Sequence, residues 1–407
     1  MADTLFPDPS PEPRADRRHA RRRRGGRTAL VVLVSLLAVL VLAGVGGAWW
    51  FQRQLDGNIE KLADPVAGLA TRPAPAPSAP AGAPAAGAGR GGGGGAGRGQ
   101  RPGAGNIETR ADPSAGLENR PDPAPSDPEV ATEAVNFLVL GSDSRISAGD
   151  PSQWEAGAQR TDAIMLVHLP ADRQTAQVVS IPRDAWVPIP GHGEAKINAA
   201  FSYGGPPLMI QTVEDLTGVR IDHFAVTDFE SFTTLTDALG GVQIRIPEDI
   251  GDGKKVFFEA GVHQMTGEEA LTYTRQRHGL ANGDFGRVQR QQNWMRAMLG
   301  KINNNRNDVA MMTRFFTAVS ESVATDDGLT IDEMRNLYMS ARGLSTNDVT
   351  FMTAPNSGTG RSADGQSIVV LDRARFDPLM ASIANDSVGD YLVQNAEALE
   401  VLPPTVK

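Results

Sequence analysis

VNFLVLGSDSR, residues 135–145, and RTDAIMLVHL, residues 160–169, decide how the folded part of this chain is read. Each joins a short β-branched and aliphatic run to an aspartate and an arginine at one end. Asp143 and Arg145 lie just beyond the first run, and Arg160 and Asp162 just before the second. Runs of this length and composition bounded by polar residues read as strands. If the two strands neighbour each other, both carboxylates fall at one rim, where open α/β sheets place their ligands.

Working outward, Val178–Ile181, Phe224–Val226, Val242–Ile246, Asp348–Thr353 and Ile368–Leu371 are further strand-like runs. Leu208–Leu216, Ser231–Leu239, Arg287–Ile302 and a stretch near Phe376–Ala384 carry helical patterns, the third with Trp294, Met298 and Leu299 inward. Thr266 with Glu269, and Thr330 with Glu333, have capping-box spacing and should each open a helix. Strands and helices interleaved in this way predict an α/β fold, a single α-β-α sandwich domain with a mixed central sheet over residues 134–390. Residues 391–407 read as a C-terminal tail.

The same arginine-and-aspartate grouping recurs in Ile181-Pro-Arg183-Asp184, Arg275-Gln-Arg277 and Asp284-Phe-Gly-Arg287-Val-Gln-Arg290-Gln291. Spacings of three and four put Asp284, Arg287 and Gln291 on one helix face near its start, where free amides favour an anion. Arg275 and Arg277 are two apart, so both serve one site only if the chain leaves helix there; Gly279 and Gly283 permit that. Taken singly, such an arginine is an ion-pair partner and such an aspartate a loop cap. Together, guanidinium forks that match phosphate oxygens and carboxylates that supply magnesium's preferred hard ligands point to a magnesium-bound phosphate or pyrophosphate.

Composition narrows the chemistry. There is no cysteine, so disulfides, thiol nucleophiles and cysteine-ligated metals are excluded. The six histidines show no metal-type pairing, and there is no P-loop. Eight arginines against four acids give residues 1–51 a charge of +4, so of the net −9 the remainder carries −13. An acidic body of this kind argues against nucleic acid as a partner.

Residues 1–27 form a basic tail, and Thr28–Phe51 is an uncharged apolar run ending in Trp49, Trp50 and Phe51. At about 1.5 Å per residue that run crosses a hydrocarbon core of roughly 30 Å. Arginines before it and tryptophans after it predict a single-pass signal anchor in the cytoplasmic membrane, N-terminus inside and the rest outside. The rival reading is a cleaved signal peptide, against which the bulky Trp-Trp-Phe follows Gly-Gly-Ala. Residues 52–133, dominated by Pro, Ala and Gly, read as a disordered linker. One repeat flanks its centre: NIEKLADPVAGLATRP at 58–73 and NIETRADPSAGLENRP at 106–121, a period of 48. The plain reading is a duplicated tether segment.

NFLVLGSDSR, RTDA, VSIPRDAWVPIPG, KINAAFSYGG, DHFAVTDFESF, LGGVQI, GEEALTYTRQR and DFGRVQRQQ, in that order, resemble the LytR-CpsA-Psr family of bacterial cell-wall proteins. The resemblance is strong over residues 134–303 and looser to about 385. It implies a phosphotransferase that moves a glycopolymer from a polyprenyl-pyrophosphate carrier onto peptidoglycan. By the same resemblance, Asp143 and Asp162 look like ligands of magnesium, with manganese the alternative. Arg145, Arg160, Arg183, Arg275, Arg277 and Arg287 look like the pyrophosphate clamp, with Gln291 beside it. Asp284 is the first candidate for the base, and Asp284, Arg183 and Arg287 the candidate catalytic group. One departure is Ala163, where the family commonly has Thr or Ser. A polyprenyl tail also demands an apolar groove, for which Trp294, Met295 and Met298 are a candidate wall as readily as ordinary core. The alternatives are a magnesium-dependent polyprenyl-pyrophosphate pyrophosphatase and a non-catalytic membrane-bound regulator or lipid-binding protein.

Overall fold

The computed structural model describes residues 61–62, 69, 72–77, 133–142, 161–252, 254–276 and 283–406. The basic tail, the candidate span 28–51, most of 52–133, and the site candidates Asp143, Arg145, Arg160 and Arg277 lie outside them. Among the described residues no helix is long and apolar enough to cross a membrane.

Seven strands make the central sheet: β1 (Lys61–Leu62), β2 (Val135–Ser142), β3 (Thr161–Leu169), β4 (Ala176–Ser180), β5 (His223–Thr227), β6 (Ala324–Asp326) and β7 (Val349–Thr353). Their spatial order is β1-β6-β5-β2-β3-β4-β7. The β1–β6, β5–β2 and β4–β7 pairs are parallel, and the other three antiparallel, so the sheet is mixed as expected. The two strands that opened the sequence reading are neighbours. Gly141 faces Ala163, and a bulge then sets Ser142 opposite Thr161.

The described residues also form eight helices: α1 (Asn198–Thr217), α2 (Phe229–Ala238), α3 (Gly267–Arg275), α4 (Gly283–Asn304), α5 (Val309–Ser322), α6 (Ile331–Ser340), α7 (Arg373–Ala384) and α8 (Val388–Asn395). One sheet face packs Leu138, Leu140, Ile164, Leu166 and Val226 against Ile210 and Val213 of α1 and Phe376 and Leu379 of α7. The other packs Met165, Val178 and Phe351 against Met295 and Leu299 of α4. Covered on both faces, β4 is buried at every position. Only the second half of α1 was legible as a helix. Gly204, Gly205 (φ 63°), Pro206 and Pro207 break its middle, because the prolines lack the N–H a continuous helix needs.

Val242–Ile246 is a strand, but it pairs with Gly261–Met265 in a separate ribbon rather than in the central sheet. That ribbon packs with α2, α3, α4 and α5 around Leu235, Ile244, Tyr273, Met298 and Met311. Both capping positions hold: Thr266 and Glu269 form the reciprocal box, and the Thr330 hydroxyl accepts from the Glu333 amide at 3.1 Å.

Two segments read as linker and tail belong to the folded body. β1 adds to the sheet edge, Leu69 packs on the main core, and Arg72 reaches the buried Glu214. At the other end, the Leu402 amide donates to the Phe351 carbonyl at 2.8 Å and the Thr353 amide to the Glu400 carbonyl at 3.1 Å. Leu402 and Val406 complete the core over Phe351. Backbone pairing of this kind asks little of side-chain type, so composition did not announce it.

Candidate functional site

The ends of β2 and β5, the start of β3, the last turn of α3 and the first turns of α4 converge on one cavity of about 700 Å³. The parallel pairing that sets Gly141 beside Thr227 brings the first two together. The cavity's lining has polar members, Asp162, Arg275, Arg287 and Gln291, and apolar ones, Val139, Met165, Phe229, Phe232, Trp294 and Met295.

Asp162 is the hub. Arg183, two residues past the Ile181 that follows β4, donates from Nη1 to Asp162 Oδ1, and Arg287 Nη1 reaches the same oxygen at 3.4 Å. Arg287 also donates to Asp284 one helical turn earlier at 3.0 Å, which confirms the shared helix face. Asp284 in turn lies 3.8 Å from Arg183. Arg287 is 1% exposed, so its charge is held by these carboxylates within the wall. Burial lowers the Arg183 pKa, but Asp162, Asp284 and Asp184 more than offset it and hold it above the ordinary arginine value. Its Nε has no hydrogen-bond partner among the described residues, with the Asp184 carboxylate 3.9 Å away.

Arg275 ends α3, where Gln276 turns extended, so the chain leaves helix where the two-apart arginines required it. Its guanidinium sits 4.2 Å from the ring centroid of Phe229. Gln291 lines the cavity one turn beyond Arg287. Trp294 stacks on Phe232 at 4.0 Å and anchors its indole N–H on the Thr236 hydroxyl at 3.1 Å. Of the candidate apolar wall, Trp294 and Met295 face the cavity, while Met298 belongs to the core behind it. Ala163 lines the cavity beside Asp162.

Several site residues were not singled out in the sequence. Asp228 lines the cavity, yet its carboxylate is committed as the N-cap of α2, accepting from the Ser231 amide at 2.8 Å and hydroxyl at 2.7 Å. Phe229 and Phe232 follow it in the quoted DFESF string, whose aromatic pair was the available signal. Arg290 is fully buried and donates to the Gln276 carbonyl, fixing the chain as it departs α3. Burial and the neighbouring Arg287 both lower its pKa, while Tyr273 works against them.

A second, polar hollow of about 950 Å³ is lined by Arg183, Asp184, Lys196, Asn198, Ser202, Tyr203 and Gln366. Lys196 is 3.2 Å from Asp184 there. Among the described residues no group of three or more His, Cys, Asp or Glu side chains gathers to hold a metal. Asp162 is the carboxylate at the hub. Asp143 follows directly on Ser142, which pairs with the residue preceding Asp162.

Comparison with known proteins places these features. The LytR_cpsA_psr family matches residues 107–384. Cell wall biosynthesis protein LcpA of Corynebacterium glutamicum is 30% identical over 282 residues, covering 60% of this chain and 54% of that protein. Probable cell wall biosynthesis protein LcpB of the same organism is 33% identical over 263 residues, covering 62% and 61%. The chain thus spans less than two thirds of the length of these curated relatives. A solved structure of TagT bound to LIIa-WTA superposes with a TM-score of 0.50 at 26% identity, covering 62% of this chain and 90% of that one.

Proposed function

This chain belongs to the LytR_cpsA_psr family, and from that premise we propose that it is a membrane-anchored phosphotransferase of cell-wall assembly, moving a glycopolymer from a polyprenyl-pyrophosphate carrier onto peptidoglycan. The observation that carries the reading is the divided lining of one cavity: guanidinium groups and Asp162 together with the apolar Phe229, Phe232, Trp294 and Met295. A diphosphate joined to a long hydrocarbon has that same division. A soluble phosphate ester would have no use for the apolar half. The relatives' association with cell-wall biosynthesis supports the same reading.

In the reaction, an acceptor hydroxyl oxygen attacks the phosphorus nearer the glycan. The bond from that phosphorus to the bridging oxygen breaks, and polyprenyl phosphate leaves with the electron pair. The product is a phosphodiester between acceptor and glycan. Phosphoryl transfer needs positioning and charge neutralisation more than covalent help. Arg183 and Arg287, fixed through Asp162, would meet charge growing on the leaving phosphate, and Arg275 would extend the clamp. The hydroxyl's proton must reach a base, and Asp284, 3.8 Å from Arg183 and partly exposed, is the candidate. The polar hollow that Arg183 lines offers hydroxyl, amide and ammonium groups suited to a sugar.

Asp162, with Asp143, would supply two oxygen ligands to magnesium or manganese, a donor set that leaves positions for phosphate and water. Bound there, the cation would neutralise phosphate charge. Residues 28–51 would hold the chain in the cytoplasmic membrane with the domain outside, beside its lipid substrate.

The test is incubation of the purified full chain with a polyprenyl-pyrophosphate oligosaccharide, peptidoglycan and magnesium. Sugar covalently attached to peptidoglycan is the expected result. Release of free phosphorylated sugar alone would make water the acceptor and the protein a pyrophosphatase. Binding without turnover would make it a non-catalytic lipid-binding protein.

A further inference from the structure

We propose that the two copies of the repeat, 58–73 and 106–121, are alternative occupants of one dock on the folded domain, so that exchanging them resets the length of free chain before the domain.

The dock is built around a buried acid. Glu214 of α1 is 2% exposed, and its Oε1 accepts from the Ile221 amide at 2.9 Å. A carboxylate in that position is strongly unfavourable without a cation. Arg72 supplies it, with Nη2 at 2.6 Å and Nε at 3.1 Å from Oε1, while the same guanidinium donates to the Ile221 carbonyl. Three residues earlier, Leu69 packs on the main core. Earlier still, β1 lies parallel to β6, with Lys61 opposite Thr325 and Leu62 opposite Asp326.

The second copy preserves what this dock reads. Eleven of the sixteen positions are identical, among them Leu117 for Leu69, Arg120 for Arg72 and Pro121 for Pro73. At the two β1 positions the second copy has Thr109 and Arg110, and neither is proline. Strand addition runs through the backbone, so those changes leave it available. A duplication that served only as spacer would have no reason to keep a leucine and an arginine–proline pair at fixed separation inside a Pro, Ala and Gly tract. Both copies are tethered to the same domain, so each meets the dock at high effective concentration.

The consequence is mechanical. Releasing the first copy and seating the second frees 48 more residues ahead of the dock, a flexible reach of roughly 40 Å. That meaning for reach rests on the proposed anchor at 28–51; the exchange of copies does not.

Hydrogen exchange of the full chain, read separately on peptides from 58–73 and 106–121, tests the exchange itself. In Arg72→Ala, protection of at least tenfold should leave 58–73 and appear on 106–121. Arg120→Ala should keep the unaltered pattern. The double variant should protect neither copy, and its thermal midpoint should fall by more than the two single shifts combined. The proposal is overturned if 106–121 exchanges freely in Arg72→Ala, or if that variant alone is as destabilised as the double.

Discussion

Arg183, which lines the polar hollow, and Asp162, which lines the cavity, are 21 residues apart in the chain and hydrogen-bonded to each other. Arg183 follows β4 and Asp162 begins β3, and the antiparallel pairing of those strands brings them together. The pair therefore stands between the proposed lipid pyrophosphate and the proposed sugar.

Removing Arg183 should cost more than binding. Arg183→Ala is expected to lower transfer by about 10²- to 10³-fold, the usual loss when one preorganised donor to developing charge is deleted. Arg183→Lys keeps the charge but loses the fork and should fall between. Rates of sugar attachment to peptidoglycan measure both, and full activity in Arg183→Ala would remove this residue from the mechanism.

The apolar half of the cavity makes a separable prediction. Trp294→Ala deletes the ring stacked on Phe232 and enlarges the cavity. The KM for a long polyprenyl donor should rise several-fold, with little change for a short-chain analogue. Equal effects on both donors would assign Trp294 to folding alone.

Asp326 links acid stability to the sheet edge that receives β1. Burial would raise its pKa, but bonds from His223, at 3.1 Å, and from the Phe224 and Leu329 amides, at 3.0 Å each, hold it below the ordinary carboxylate value. A depressed carboxylate stabilises the fold fully above its unfolded pKa of about 3.9, and that contribution is lost as pH falls through the folded value. Asp326→Asn should be less stable at pH 6 and show a flatter loss on acidification below pH ~4, followed by urea unfolding. Parallel acid limbs in the two proteins would refute the linkage.

Leu166 sits at the centre of the sheet with no exposed surface. Leu166→Ala should cost about 2–5 kcal/mol of unfolding free energy, because rigid neighbours on both sides cannot collapse into the space. Urea titration gives the value directly.

Much of the framework was legible because β2, β3, β4 and β7 are long enough to carry their own β-branched pattern. β1 and β6 have two and three residues, too few for any period, and exist only through pairing. α5 was overlooked although Met311, Met312, Phe315 and Phe316 recur at helical spacing. For the site, the meeting of Asp284 with Arg287 followed from helix spacing, whereas that of Asp162 with Arg183 depends on the pairing of β3 with β4, which no local pattern announces. Burial of Arg287 and Arg290 could not be foreseen, since arginine is ordinarily a surface residue. The use of Asp228 as a helix cap was equally hidden, because a cap and a ligand look alike in one dimension.

The strap formed by residues 399–406 bears on how the protein should be handled. Leu402 and Val406 roof Phe351, Met165 and Val178, and Arg296 ties the strap down through the Pro403 and Pro404 carbonyls. Cutting an expression boundary at the end of α8 would strip that roof and leave a sticky hydrophobic face on β7. Val406 is only 1% exposed, so substitution there would disturb the same roof.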